Sequence, residues 1–366
     1  MWRLFEPVEL FFGKDSLLKS GESMKKLGRR ALVVTGKSSK RNGALDDLEK
    51  ILKNLGMEYE VFDEVKENPS FQLLRDALKI HKEGGYDFVI GVGGGSPMDF
   101  AKAIAILLKN PHLKVPEIFD TEKYNEMLPV VAIPTTSGTG SEVTQYSVIT
   151  DDENNKAGFG TSFTFPTLSF ADPKYTTTMP ASLTMSTGID ALCHAIEGFS
   201  SKRSNPFVKL LAKEAAKLIK ENLKTAMNEP DNFEAREKMM YASTLAGIVI
   251  AQSGTTVNHA FGYPLTTFKG IRHGQATGIF LVETLKVMMT ENEEINEILE
   301  IFGGLEGLEG FLEEVGVYDA KIQVDSDELQ KWAERTSRAK HLKVTYGKFD
   351  YKTVLKVYER AVEKLK

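Results

Sequence analysis

The chain of 366 residues carries 46 basic and 51 acidic side chains, for a formal net charge of −5, and neither sign forms a long block. That balance leaves no electrostatic footprint for nucleic acid or an anionic membrane and makes a small molecule the expected partner. At 42% hydrophobic and 27% charged, the composition is that of a globular protein long enough for two cores, and the single cysteine, Cys193, excludes a disulfide framework or a multi-cysteine metal site within one chain.

At the start, Met1-Trp2-Arg3-Leu4-Phe5-Glu6-Pro7 lacks the basic and apolar stretches of a secretory signal, and no apolar run reaches the length of a membrane span. Both observations predict a cytoplasmic protein. Three apolar runs then read as buried strands, Ala31–Thr35, Asp87–Val92 and Val130–Ile133, each leading into a turn rich in glycine or hydroxyls. Helical spacing lies between them, over Ala44–Leu55, Leu73–His81 and Asp99–Leu108. Alternation of strand and helix predicts a largely parallel sheet covered on both faces. From Ser182 onward the pattern turns helical, over Thr187–Phe199, Val208–Leu223, Phe233–Ala251, Gly278–Met289 and Val354–Leu365, with no comparable strand run. The aperiodic stretch Asp172–Pro180, with its two prolines, separates an α/β domain, residues 1–178, from an all-helical domain, residues 179–366.

Two strand-end turns carry the first candidate chemistry. In Gly93-Gly94-Gly95-Ser96-Pro97 the glycines let backbone approach a bulky anion, Ser96 can act as N-cap and Pro97 suits the first helical position, so free amides would face a pyrophosphate. The run is not a full GxGxxG fingerprint and lacks the lysine of a Walker loop; alone, it reads also as a tight turn packed on a neighbouring strand. A second turn, Thr135-Thr136-Ser137-Gly138-Thr139-Gly140-Ser141-Glu142, follows the next strand. Ligands of open α/β sheets bind beyond the carboxyl ends of strands, so the two turns can converge on one dinucleotide. A plain hydroxyl-capped turn is the competing reading of the second.

The helical half supplies nitrogen and oxygen ligands. Asp190 and His194 are four residues apart, on one face of a helix, while His259 and His273 stand at the ends of segments separated by a Pro- and Gly-broken stretch. Each histidine alone reads as a core or surface residue; jointly, with the aspartate, they make a four-ligand set. His81, His112 and His341 have no such partners and read as solvated, and Cys193 reads as a small buried hydrophobe.

With these segments in view, the chain resembles the iron-containing, or group III, alcohol dehydrogenases, relatives of glycerol dehydrogenase and, more distantly, of dehydroquinate synthase. The resemblance runs through residues 93–99, Pro134–Glu142, Asp190–Glu197 and His259–His273. It implies a dinucleotide-binding α/β domain followed by a helical metal-binding domain. It makes Asp190, His194, His259 and His273 the metal ligands, and it assigns Gly94, Gly95 and Ser96 to the pyrophosphate and Thr135, Thr136 and Thr139 to the ribose and phosphates. Asp99 and Lys156 also fall where the family touches its cofactor. Many members carry a further histidine four residues after the third ligand; here Tyr263 stands instead, which puts proton transfer at that position in doubt.

The implied activity is hydride exchange between a nicotinamide dinucleotide and a small primary alcohol, diol or aldehyde polarised by a divalent ion. Three imidazoles and a carboxylate suit Fe2+ or Zn2+, so Fe2+ rests on the resemblance alone. NADP(H) is expected over NAD(H): where NAD-selective relatives carry an aspartate after the first strand this chain has Gly36, followed by Lys37, Ser38, Ser39, Lys40 and Arg41 as donors for a 2′-phosphate. The resemblance also implies a homodimer or larger homo-oligomer. The alternatives are a zinc- and NAD-dependent glycerol dehydrogenase, a dehydroquinate synthase-like lyase, whose basic pocket has only Lys269 and Arg272 near the ligands in sequence, and a non-catalytic nucleotide sensor.

Overall fold

The computed structural model describes residues 1–365. Its chain separates into two compact units, one of Glu6–Met179 with Asp231–Met240, the other of Met1–Phe5, Pro180–Pro230 and Tyr241 onward.

The first unit holds eight strands, β1 (Glu9–Phe12), β2 (Arg30–Thr35), β3 (Glu58–Phe62), β4 (Phe88–Gly93), β5 (Val130–Pro134), β6 (Ser147–Thr150), β7 (Lys156–Phe159) and β8 (Leu168–Ala171). Its helices are α1 (Ser16–Ser20), α2 (Ser38–Arg41), α3 (Ala44–Asn54), α4 (Phe71–His81) and α5 (Gly95–Lys109). Six strands pair in the order β1-β8-β5-β4-β2-β3, all parallel, and β6 and β7 form a separate antiparallel pair. The apolar runs expected as strands are β2, β4 and β5, buried throughout or nearly so, at the centre of the sheet. Side chains alternate across it into two cores. Leu32, Val34 and Val89 face α4 and α5, whereas Val33, Ile90 and Val131 face α3 and the segment around Tyr175. The short and edge strands β1, β3, β6, β7 and β8 carry no apolar run to announce them; β3, Glu-Tyr-Glu-Val-Phe, is half charged because one of its sides is unpaired.

Register fixes what matters for ligands. Thr35 lies opposite Val92, and Gly93 opposite Pro134. The turns after β2, β4 and β5 therefore leave the sheet side by side.

The second unit is helical. Its elements are α6 (Ala181–Phe199), α7 (Pro206–Asn228), the later part of α8 (Phe233–Ser253), α9 (Val257–Lys269), α10 (His273–Met288), α11 (Asn296–Leu299), α12 (Leu305–Glu314), α13 (Ser326–Thr336) and α14 (Tyr351–Val362). Helix α6 packs on α7 and α10, and α10 on α9. The stretch expected to be broken by Gly262 and Pro264 is instead the continuous α9, with Pro264 inside it. A β-carbon on Gly262 would lie 2.8 Å from Thr277 Oγ1 and 3.0 Å from Thr277 N, so glycine serves close packing on α10 there and does not end the helix. Among the described residues no helix is long and apolar enough to cross a membrane.

Candidate metal centre and dinucleotide site

Asp190 and His194 sit one turn apart on α6, His259 in the first turn of α9, and His273 opens α10. Gly274 lets α10 reach α6: a β-carbon there would stand 1.8 Å from Ser186 O and 2.8 Å from Asp190 Cβ. The result is a convergence of three imidazoles on one carboxylate oxygen. His259 Nε2 lies 3.7 Å, His194 Nε2 3.8 Å and His273 Nε2 3.9 Å from Asp190 Oδ1. These separations are too long for hydrogen bonds. They suit atoms sharing an ion, because tetrahedral ligands at about 2.1 Å from a metal stand roughly 3.4 Å apart. Ligand atoms of Asp190, His259 and His273 all lie within 4.8 Å of one another. Asp190 Oδ1 and His259 Nε2 are buried without a hydrogen-bond partner, which is costly unless a ligand occupies the space they face. The His194 and His259 rings stack at 4.9 Å, and Tyr263 stacks on His273 at 5.7 Å.

The electrostatics favour a cation. Burial opposes ionisation of Asp190, yet the neighbouring His194, His259 and His273 charges hold it well below the usual carboxylate range. Burial likewise lowers His259, but Glu197 and Asp190 outweigh it and push the imidazole up to about 10. Glu197 is buried and fully engaged. One oxygen accepts from Thr256 N at 2.7 Å and Thr256 Oγ1 at 2.8 Å; the other accepts from Asn258 Nδ2 at 3.1 Å and pairs with His259 Nδ1. A carboxylate on Nδ1 fixes the ring and turns Nε2 toward Asp190, as supporting carboxylates do for metal-binding histidines. Burial, with the Glu197 and Asp190 charges, pushes the Tyr263 phenol up to about 12.

Two histidines read as solvated are not. His81 is buried, its Nδ1 2.9 Å from Tyr86 Oη and 3.0 Å from Glu60. Burial and the His259 charge drive His341, whose ring lies 6.2 Å from that of Tyr263, down to about 4. Their partners come from other elements, where sequence spacing cannot show them. His112 is exposed and Cys193 fully buried, as the sequence implied.

In the first unit, α5 begins at Gly95, with Gly94 as N-cap and no side chain capping it. Ser96, expected as N-cap, is already inside the helix; its Oγ accepts from Asn68 N at 3.3 Å. A β-carbon on Gly94 would lie 3.1 Å from Thr136 Oγ1, and one on Gly95 2.8 Å from Thr139 Cγ2. The two turns thus meet face to face at an uncapped helix N-terminus, a cradle for a phosphate that side chains would fill. Thr135 is buried, its amide donating to Gly93 O at 2.8 Å. Asp99 spends both carboxylate oxygens on protein, accepting from Ser141 Oγ at 2.7 Å and Val148 N at 2.9 Å. Lys156 opens β7, in the hairpin and not on a strand-end turn of the main sheet.

After β2, Gly36 is buried and a β-carbon on it would lie 2.5 Å from Val65 O. Ser39 is fully buried, its hydroxyl on Thr35 Oγ1 and, at 3.1 Å, on Val92 O. Lys37, Ser38 and Lys40 are exposed. Lys37 Nζ lies 2.9 Å and Lys40 Nζ 3.7 Å from Asp63 Oδ2, just past the end of β3.

Residues 7–173 match the family described as iron-containing alcohol dehydrogenase, and residues 184–362 match the C-terminal domain of the same family. The chain belongs to the iron-containing alcohol dehydrogenases. It is similar to the crystal structure of an iron-containing alcohol dehydrogenase from Thermotoga maritima, with 52% identity, a TM-score of 0.96, and 99% of this chain and 100% of that one covered. It is 35% identical to the NADPH-dependent butanol dehydrogenase of Clostridium saccharobutylicum, over 78% of this chain and 74% of that protein. It is 30% identical to the NAD-dependent methanol dehydrogenase of Bacillus methanolicus, over 83% and 80%. The protein is an oxidoreductase of this family, and its relatives divide between the two dinucleotides.

Sequence reasoning passed over Glu197, Asp63 and Lys102. Two of them had a signal: Glu197 follows Asp190 and His194 at helical spacing, and Lys102 is the one charge within the apolar run Phe100–Leu108. Asp63 had none, since β3 itself was not legible.

Proposed function

We propose that the protein is a metal-dependent, NADP(H)-preferring alcohol dehydrogenase and aldehyde reductase for a small primary alcohol, diol or aldehyde. In this reading Fe2+ is the native ion, with Zn2+ able to replace it, and Asp190, His194, His259 and His273 hold it. The observation that carries the reading is the set of three imidazole nitrogens 3.7–3.9 Å from one buried, otherwise unpartnered carboxylate oxygen. When bound, a divalent ion supplies Lewis acidity toward an alcohol or carbonyl oxygen. Glu197 keeps the His259 ring turned for that role, and Gly274 keeps His273 within reach of Asp190. Gly94, Gly95 and Ser96, facing Thr136 and Thr139, receive the pyrophosphate, with Thr135 behind them. A cytoplasmic homodimer or larger homo-oligomer completes the proposal.

The preference for NADP(H) draws on exposed Lys37, Ser38 and Lys40, and on the name of the butanol dehydrogenase relative. One observation favours the opposite choice: Asp63, just past the end of β3, sets a carboxylate beside these lysines, where it would repel a 2′-phosphate. Lys37 and Lys40 already counter its charge, which tips the reading to a 2′-phosphate. A lyase that binds a phosphorylated acid is disfavoured, because Lys269 pairs with Glu328 at 2.7 Å and Arg272 donates to Ser182 Oγ at 2.9 Å.

The test is removal of metal by a chelator, anaerobic restoration with Fe2+ or Zn2+, and oxidation of NADPH and NADH against a panel of small aldehydes. Turnover restored by Fe2+, with kcat/KM higher for NADPH, is expected. Absence of metal-dependent turnover on every aldehyde would mean a non-catalytic protein, and a higher kcat/KM for NADH would sink the cofactor choice alone.

A further inference from the structure

The turn that faces the glycines has almost no regular structure of its own. From Thr135 to Tyr146 it contains one short helical turn, Ser141–Val143. Ser169 Oγ donates to Glu142 O at 2.5 Å and Thr164 Oγ1 to Gln145 O at 2.8 Å, but most of its anchors come from α5, through two side chains three residues apart. Lys102 is fully buried, and its Nζ has four acceptors: Ser141 O at 2.8 Å, Ser141 Oγ at 2.9 Å, Thr144 O at 2.8 Å and Tyr146 O at 2.8 Å. Asp99 takes Ser141 Oγ at 2.7 Å and Val148 N at 2.9 Å, and its main-chain oxygen accepts from Ser147 Oγ at 2.8 Å. Ser141 is the hub, since its amide in turn donates to Thr139 Oγ1 at 3.3 Å. Thr139 is the residue that packs against Gly95 at the start of the same helix. The path leaves α5 at Lys102 and Asp99, crosses Ser141 and Thr139, and returns to the helix N-terminus.

We propose that Lys102 and Asp99 are positioning residues for dinucleotide binding, bracing the Thr135–Tyr146 turn against the α5 N-terminus without touching the cofactor. The inference rests on the dinucleotide reading above and revises the direct contact that family resemblance implied for Asp99. Its physical case is the choice of residue. Burying an ammonium is costly, and an apolar side chain would fill the same space in the run Phe100–Leu108, which is otherwise Ala, Ile, Leu and Phe. Three directional donors aimed at three separate carbonyls do what packing cannot, fixing a loop's backbone at several points. Burial pulls the ammonium down to about 8 against Asp99 and Glu142, whose carboxylates supply the countercharge.

The test is the affinity of the metal-loaded protein for NADP+ and NAD+, measured by calorimetric titration, in wild type, Lys102→Met, Asp99→Asn and Ser141→Ala. Wild type is expected to bind, Lys102→Met to bind the same dinucleotide at least tenfold more weakly, and the other two several-fold more weakly, with metal content unchanged. In steady state the KM for dinucleotide should rise while that for the alcohol stays put. A merely structural lysine would lower the folded fraction and leave the dissociation constant of the remainder alone; that result overturns the proposal. Should Lys102→Met not fold, Ser141→Ala and Asp99→Asn decide alone, and wild-type affinity in both refutes the brace. Wild-type protein that binds neither dinucleotide refutes the underlying reading and the brace with it.

Discussion

Alanine at position 274 would place a methyl carbon 1.8 Å from the Ser186 carbonyl oxygen and 2.8 Å from Asp190 Cβ. Carbon–oxygen contacts settle at about 3.3 Å or more, so the first turn of α10 has to withdraw from α6 by roughly 1.5 Å. Neither neighbour can swing aside: one is mid-helix backbone, the other the β-carbon of the central carboxylate. His273 precedes the substitution and starts 3.9 Å from Asp190 Oδ1. Metal–ligand distances tolerate only about 0.2 Å, so such a withdrawal takes His273 out of any shared coordination. Overpacking of this kind costs about 1–3 kcal/mol, which a domain of ordinary stability survives. The expected result is a folded protein whose affinity for Fe2+ or Zn2+ falls at least about 100-fold, beyond what disturbing a supporting residue produces. Chelator competition measures the affinity and thermal unfolding measures the fold. Gly310→Ala is the control, because a β-carbon there, inside α12, meets nothing within 4 Å. Wild-type metal affinity in folded Gly274→Ala would refute the argument that this contact brings His273 to the site.

His259→Ala and His273→Ala should each remove metal and activity together and leave folded protein, read by elemental analysis and circular dichroism; wild-type metal content in either would exclude it from the ligand set. Glu6→Gln should flatten the pH dependence of stability. Burial raises the Glu6 carboxyl from 4.5 to about 8, with both oxygens buried and unpartnered. The folded state keeps a proton that the unfolded state gives up, so stability is fully present below 4.5 and is lost as the pH climbs through about 8. The loss is roughly 2–3 kcal/mol after allowance for partial exposure, and thermal melts of the two proteins across that window should diverge. Lys37→Ala with Lys40→Ala should lower the NADPH-to-NADH ratio of kcat/KM about tenfold or more, the worth of a charge-assisted contact; an unchanged ratio would clear these lysines of reading the 2′ position.

The parts of this fold legible in the sequence are those with local causes. β2, β4 and β5 announce themselves because a central parallel strand is buried on both faces and reads as an unbroken apolar run. β8 is equally buried, but Ser169 interrupts its four residues so that no apolar run marks it, and β3 alternates charged and apolar residues at the sheet edge. Helix starts were placed late wherever glycine or proline occupies the first turn, as in α5, which begins at Gly95 and not near Asp99. For the site, Asp190 and His194 share a helix and were visible as a pair, while the convergence of His259 and His273 on them depends on how α9 and α10 pack on α6. Glu60, which meets His81, lies on β3, and Tyr263, beside the half-buried His341, lies on α9, so neither surrounding showed in the sequence.

Glycine is where the two levels of reading part most sharply. Read along the sequence, Gly36 is a missing carboxylate, and its absence argues for NADP. Within the fold it is a steric requirement, because any β-carbon would press to 2.5 Å on the Val65 carbonyl where the chain passes the end of β2. A residue that packing forbids to be aspartate carries less information about cofactor choice than one free to vary. By the same token Gly36→Asp is a poor experiment, since it would move the Val65 backbone before it repelled any phosphate. In the proposed reading the discriminating groups are then Lys37 and Lys40, exposed side chains that pair with Asp63 just past the end of β3. Glu64 and Glu67 line the same recess with Lys66, so the proposed preference for a 2′-phosphate rests on the placement of Lys37 and Lys40 as donors and not on net charge.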